Sequence, residues 1–187
     1  MSARFVYLLG LAAVVLGGCA SSAPNHYFVL SVEAPSGAAP ARAGAWRLAG
    51  VRLPRITDRP QLVVRTGPQT IQVLEFERWA EPLDDLVPRI LAQDLALRQG
   101  VQAAHGPATR IFVVIDDFIP DDSGSAHLTG RWWTEPPEGD PAAGPPHAFA
   151  FAAPLASGTA AASPAALSRL LGLLADDIAR GDPAGPV

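Results

Sequence analysis

Cysteine can act as a nucleophile, a metal ligand, half of a disulfide or a site of acylation, and this chain of 187 residues carries one, Cys19. A lone cysteine forms no internal bridge. As a thiolate it could attack an electrophile; as an acylated sulfur it could only anchor. Its flanks bear on the choice. Arg4 puts a positive charge near the start, Phe5 to Leu16 (FVYLLGLAAVVL) is an uncharged apolar run, and Gly17 and Gly18 lead into the cysteine. A charged start, an apolar centre and small residues before a cleavage point are the order of a secretory signal. The run is too short to cross a bilayer as a helix, which takes roughly 20 apolar residues.

The other chemistry-bearing residues are dispersed. His26, His105, His127 and His147 lie far apart, and none stands at i, i+4 with a carboxylate between, so no zinc signature is present. Asp116-Asp117 and Asp121-Asp122 are the densest carboxylates. They lack the alternating ligands and central glycine of a calcium loop, and they read as a solvated strand end. There is no Gly-x-Ser-x-Gly elbow and no phosphate-cradling glycine loop. The sequence therefore offers no catalytic residue, no metal ligand and no cofactor site, and the chain is expected to be no enzyme. A formal charge of −4 supplies no basic field for nucleic acid.

The elements follow from periodicity and punctuation. Residues 19–25 read as a tether after a signal over residues 1–18, and residues 26–187 are long enough for one domain with a sizeable core. Strands are expected at His26 to Val32, Trp46 to Leu53, Gln61 to Thr66 and Thr70 to Phe76, the last two forming a hairpin around Gly67-Pro68-Gln69. In the stretch from Pro82 to Gly100, apolar residues at Leu83, Leu86, Val87, Ile90, Leu91 and Leu95 lie on one helical face. Pro82 suits the first helical position, Asp84 and Asp85 the first turn, and Pro88 predicts a kink or an irregular first turn. Arg110 to Phe118 is apolar on both faces, which predicts a strand covered on both sides of a sheet. Ala126 to Trp133 and His147 to Leu155 are two further strands around a proline-rich excursion. A last helix opens with Ser163 as N-cap and Pro164 at the first position, carries Leu167, Leu170, Leu171, Leu174 and Ile178 as its stripe, and is ended by Gly181 and Pro183. The expected fold is one α/β domain, a mixed β-sheet with two long helices packed on it.

Two sets of residues carry resemblances. Leu16-Gly17-Gly18-Cys19 resembles a bacterial lipobox. That implies a lipidated Cys19 as the first mature residue, and Ala20 in place of an aspartate implies the outer membrane, facing the periplasm. Further on, Tyr27 and Leu30, then Leu53, Pro54, Asp58, Arg59, Gln61, Leu62, Val63 and Arg65, and finally the unbroken run Arg78-Trp79-Ala80-Glu81-Pro82-Leu83 resemble the ABC-type transport auxiliary lipoproteins, the PqiC-like family. Thr57 stands where an apolar residue is usual. The resemblance implies a non-enzymatic accessory subunit of a lipid transport system. Its partners would be an MCE-family periplasmic protein and that protein's ABC transporter or membrane partner, with self-association also open. The rival classes are a lipid-anchored periplasmic hydrolase and a structural lipoprotein of envelope assembly. Asp58, Arg59, Arg78, Trp79, Glu81 and Pro82 are the candidate partner-binding or structural residues. Trp79 could pin a strand-to-helix corner or face a partner, and Asp58 and Arg59 could shape a loop or line a contact surface.

Overall fold

The computed structural model describes residues 23–37, 45–99, 108–136, 144–157 and 159–181. Cys19, the apolar run before it and His105 lie outside the described residues. Seven strands and two helices make a single α/β domain. β1 (His26–Phe28), β2 (Trp46–Arg52), β3 (Gln61–Gly67) and β4 (Thr70–Trp79) precede α1 (Leu83–Gln99); β5 (Thr109–Pro120), β6 (Ser125–Glu135) and β7 (His147–Pro154) precede α2 (Ser163–Arg180).

The strands divide into two sheets rather than one. One has the order β1-β4-β3, with β1 parallel to β4; the other has the order β2-β5-β6-β7, with β2 parallel to β5 and the rest antiparallel. Among the described residues one backbone bridge joins them. Arg65 at the end of β3 bridges Asp121, Asp122 N–H donates to the Arg65 carbonyl at 2.9 Å, and the Arg65 guanidinium donates to Asp117 at 2.8 Å. The expected hairpin is present, closed by the two residues Pro68 and Gln69.

Both helices pack on one face of the four-stranded sheet. Ile111, Val113 and Ile115 of β5, Trp132 of β6 and Phe149 of β7 are buried with the leucines of α1 and α2 in one core. The other face of β5 departs from the sequence expectation. Phe112 and Val114 are only half-buried, and Arg110 and Asp116 flank them. Their apolar character is used up within the sheet: Phe112 stacks on Trp133 at 5.5 Å between centroids. Beyond the bulge between Ile115 and Asp117 the pattern changes, and Phe118, Ile119 and Pro120 are all buried where β3 comes alongside.

α1 continues through Pro88, which supplies no N–H to the helical ladder. Pro82 sits one place before the helix, where its carbonyl accepts from Asp85 N–H at 3.1 Å and Leu86 N–H at 3.0 Å. Ser163 is not the N-cap of α2. A 3-10 turn, Ala160–Ala162, leads directly into the helix, Ala162 takes the cap position in a helical conformation, and the Ser163 hydroxyl is buried inside the first turn. Gly181 does end the helix, in the left-handed conformation at φ 66°, and its N–H donates to Ile178.

β1 is shorter than its apolar run. After Phe28 the chain leaves the sheet and becomes a strap across the two helices. Ser31 N–H donates to Ser168 Oγ at 3.0 Å, Glu33 N–H to Asp94 Oδ1 at 2.7 Å and Ser36 N–H to Asp176 Oδ2 at 3.4 Å. Leu30 enters the core beneath it. Gly172 is what lets the strap lie so close, because a Cβ there would meet the Glu33 Cβ at 2.7 Å.

Candidate docking cleft

The segment between β2 and β3 turns on a short 3-10 helix, Arg55–Thr57. Thr57 is 4% exposed, and its hydroxyl is satisfied by the Pro54 carbonyl at 2.7 Å, which is how a polar residue fills a position suited to an apolar one. Asp58 N–H donates to the Arg55 carbonyl and Arg59 N–H to the Thr57 carbonyl, so these two side chains stand on a tightly wound loop. Pro60 then fixes the loop to the end of β4 by accepting from Trp79 N–H at 2.7 Å, while Ala80 N–H reaches Phe28 of β1 at 2.8 Å.

Loop and corner together enclose a cleft of about 310 Å³. Trp79, Pro60, Pro82 and Leu83 supply apolar walls, and Asp58, Arg59, Glu81 and Asp84 bring charge to it. Trp79 belongs to the core and is 6% exposed, so it offers the cleft an edge rather than a free ring. Glu81, just before α1, pairs with Arg89 in the helix's second turn, leaving Asp58 and Asp84 without an ion pair among the described residues. α1 begins at the cleft, and Asp84 and Asp85 place negative charge at the positive end of its dipole.

Of the six motif residues singled out in the sequence, Asp58, Arg59, Trp79, Glu81 and Pro82 line this cleft. Arg78 does not. Strand alternation turns it away from Trp79, and it lies beside Gln61 of β3 and Tyr27 of β1. Arg59 and Arg78 share another property: the Nε of each is buried and has no hydrogen-bond partner among the described residues.

Sequence reasoning missed a second polar cluster, beneath the strap. Arg98 donates from Nε to Asp176 at 2.6 Å, from Nη1 to the Asp94 carbonyl at 2.7 Å and the Glu33 carbonyl at 3.3 Å, and from Nη2 to the Gly172 carbonyl at 2.9 Å. Asp94 is fully buried, and one of its carboxylate oxygens has no partner. Burial raises its pKa; the Glu33 N–H and the Arg98 charge pull the other way, and the result is about 6 against an ordinary 3.8. The signal was in the sequence. Asp94 and Arg98 continue the i, i+3, i+4 stripe begun by Leu83, so two charged residues occupy core-facing positions.

The remaining polar groups do not converge. Asp116 pairs with Arg131 at 3.4 Å, and Asp117 with Arg65. Asp121 accepts from Ser123 Oγ at 2.7 Å and Ser125 N–H at 3.0 Å, and lies 2.7 Å from His127 Nε2, a knot that ties the β5–β6 turn. Burial pushes its pKa up, but the hydrogen bonds from Ser123, His127 and Ser125 outweigh it and bring it down to about 2. His147 stacks on Trp132 at 4.3 Å, and His26 opens β1 at the surface. Among the described residues no group of three His, Cys, Asp or Glu side chains is placed to hold a metal ion, and no helix is long and apolar enough to cross a membrane.

With this geometry in place, the comparison with known families is decisive. The model of the ABC-type transport auxiliary lipoprotein component matches residues 28–179. The chain belongs to that family. The match runs from the end of β1 almost to the end of α2, so it takes in the cleft, the strap and both sheets. Six chains of solved structures are similar to this auxiliary lipoprotein. One, described only as an uncharacterized protein, is 16% identical, with a TM-score of 0.68 over 85% of this chain and 99% of its own. Another, a Xanthomonas campestris protein of the DUF330 family, is 22% identical, with a TM-score of 0.65 over 82% of this chain and 92% of its own. These likenesses carry the fold and no more. Among curated proteins, none matches the chain.

Proposed function

We propose that this auxiliary lipoprotein is anchored through Cys19 to the periplasmic face of the outer membrane. There it serves, without catalysis of its own, as the docking subunit of an ABC-type system that moves lipid or another hydrophobic substrate with an MCE protein. The cleft beside Arg59 receives the partner. The observation that carries this reading is the convergence of five motif residues, separated by up to 24 positions in the sequence, on one cleft that also holds a guanidinium N–H without a partner. About 310 Å³ is at the low end of ligand pockets, which run from roughly 300 Å³ upward. It suits one or two side chains of a docked segment. The mixture of Arg59 with Asp58 and Asp84 suits a polar protein surface better than a lipid tail, which would leave those charges desolvated.

A photo-crosslinking residue in place of Ala80, exposed at the cleft, tests the assignment in the intact envelope. The expected result is an adduct with the MCE protein that is absent when the same residue replaces Ala165, exposed on α2. Equal adducts from both positions, or none from either, would overturn it. The anchor has its own test: Cys19→Ser should lose palmitate labelling, and equal labelling of both chains would remove Cys19 as the attachment site.

A further inference from the structure

The face of the four-stranded sheet turned away from the helices has a composition the docking cleft does not explain. Strand registers place Arg47, Gly50 and Arg52 of β2 beside Arg110, Phe112 and Val114 of β5, and these beside Glu135, Trp133 and Arg131 of β6. Register partners share a face. Phe112 and Trp133 stack into a flat plate at its centre. Gly50 gives that plate room, since a Cβ there would meet the Phe112 ring at 3.2 Å. Ala148, Ala150 and Ala152 of β7 are exposed and keep the neighbouring surface low. No described helix or strand packs over the plate; the described contacts of α1 and α2 are with the opposite, buried face.

The rim is basic in a chain that is acidic overall. Arg110 lies 4.9 Å over the Phe112 ring and pairs with Glu135 at 3.3 Å, and Arg131 pairs with Asp116. Arg47 and Arg52 are exposed and have no carboxylate partner among the described residues. An aromatic plate at the centre of an arginine rim has the chemistry of a membrane interface, where tryptophan settles at headgroup depth and arginine meets phosphate. The tether to the proposed anchor is short. Only six residues separate Cys19 from His26, and the seven steps between them span roughly 25 Å when fully extended.

We infer that the Phe112–Trp133 plate with its Arg47, Arg52, Arg110 and Arg131 rim is a contact face for an anionic phospholipid bilayer, holding the domain down on the membrane into which it is anchored. The inference rests on the anchor proposed above and on no property of the cleft. The domain would then bind the membrane at two points, the lipid on Cys19 and this face, and the short tether makes the second contact effectively intramolecular.

Trp133 is its own reporter. Of the four tryptophans, Trp46, Trp79 and Trp132 are buried, and Trp133 alone is half-exposed. The lipidated full chain, purified and added to phosphatidylglycerol vesicles with brominated acyl chains, should lose up to about a quarter of its emission, the share of one tryptophan in four. Trp133→Phe should abolish that loss. Arg47→Glu/Arg52→Glu, two exposed positions, should remove most of it while melting like wild type, and so should about 1 M salt, where the Debye length falls to about 3 Å. Quenching that is absent, equally strong in phosphatidylcholine, or undiminished in the double variant would overturn the contact face. Palmitate content of the same preparation reports the anchor separately: unlabelled protein would overturn the anchor, whatever Trp133 shows.

Discussion

Arg98, in the last turn of α1, is buried, Arg59, beside its first turn, is half-buried, and the chain treats them differently. Arg98 donates to a carboxylate and three carbonyls, all supplied by its own helix, by α2 and by the strap. Arg59 has a buried Nε with no such partner and faces a cleft. The first arrangement consumes the hydrogen-bonding capacity of an arginine to fasten the fold. The second leaves a half-exposed arginine at the cleft without an ion pair among the described residues, as a site that awaits a partner would require. The contrast separates architecture from docking, and substitutions can break or sharpen it.

The largest effect is expected at Arg98. Arg98→Ala leaves Asp176 and three carbonyls without their donor, and breaking a buried pair in this way costs about 3–5 kcal/mol. That is a large share of the roughly 5–15 kcal/mol that stabilises a domain. Thermal or urea unfolding should show it directly, and the strap should lose hydrogen-exchange protection at Glu33 and Ser36 first. Trp79→Ala is expected to approach the same size, about 3–5 kcal/mol, because Trp79 is a core residue despite its place in the motif. An unchanged melt for Trp79→Ala would move it from architecture to docking.

A smaller effect follows from Asp94. Its folded pKa of about 6 lies above the ordinary 3.8, so the folded state binds the extra proton between these values. Stability is therefore greatest below about pH 4 for this group and falls as pH rises through about 6. Asp94→Asn keeps an oxygen for the Glu33 N–H and carries no charge, so it should melt higher than wild type at pH 7 and lose the decline between pH 4 and pH 6. Asp121 has the opposite sign. Its pKa of about 2 means that its contribution is present above about pH 4 and lost as pH falls toward 2, and Asp121→Asn should flatten that acid limb.

Legibility in the sequence divides along the same line. The α1 and α2 stripes, the β3–β4 hairpin and the strands of the second sheet could be read because periodicity and turn residues are local. The motif residues were visible as an unusual run, and three strands and a loop had to fold before five of them met. The strap was not legible. Residues 29–32 are as apolar as a strand, but partners 61 to 140 residues away take the N–H groups of Ser31, Glu33 and Ser36, and nothing near them in the chain announces it. The half-exposed face of β5 misled for a related reason: Phe112 and Val114 look like core residues, and a stacked neighbour on β6, not a covering layer, shields them.

The central claim is that Arg59 is reserved for a partner, and capture of the MCE protein by the Arg59→Ala chain tests it most directly. Arg59 makes no side-chain ion pair among the described residues, so its loss should shift stability by no more than about 0.5 kcal/mol. The account predicts a wild-type melt with co-purification lost. A wild-type melt with undiminished co-purification would contradict it.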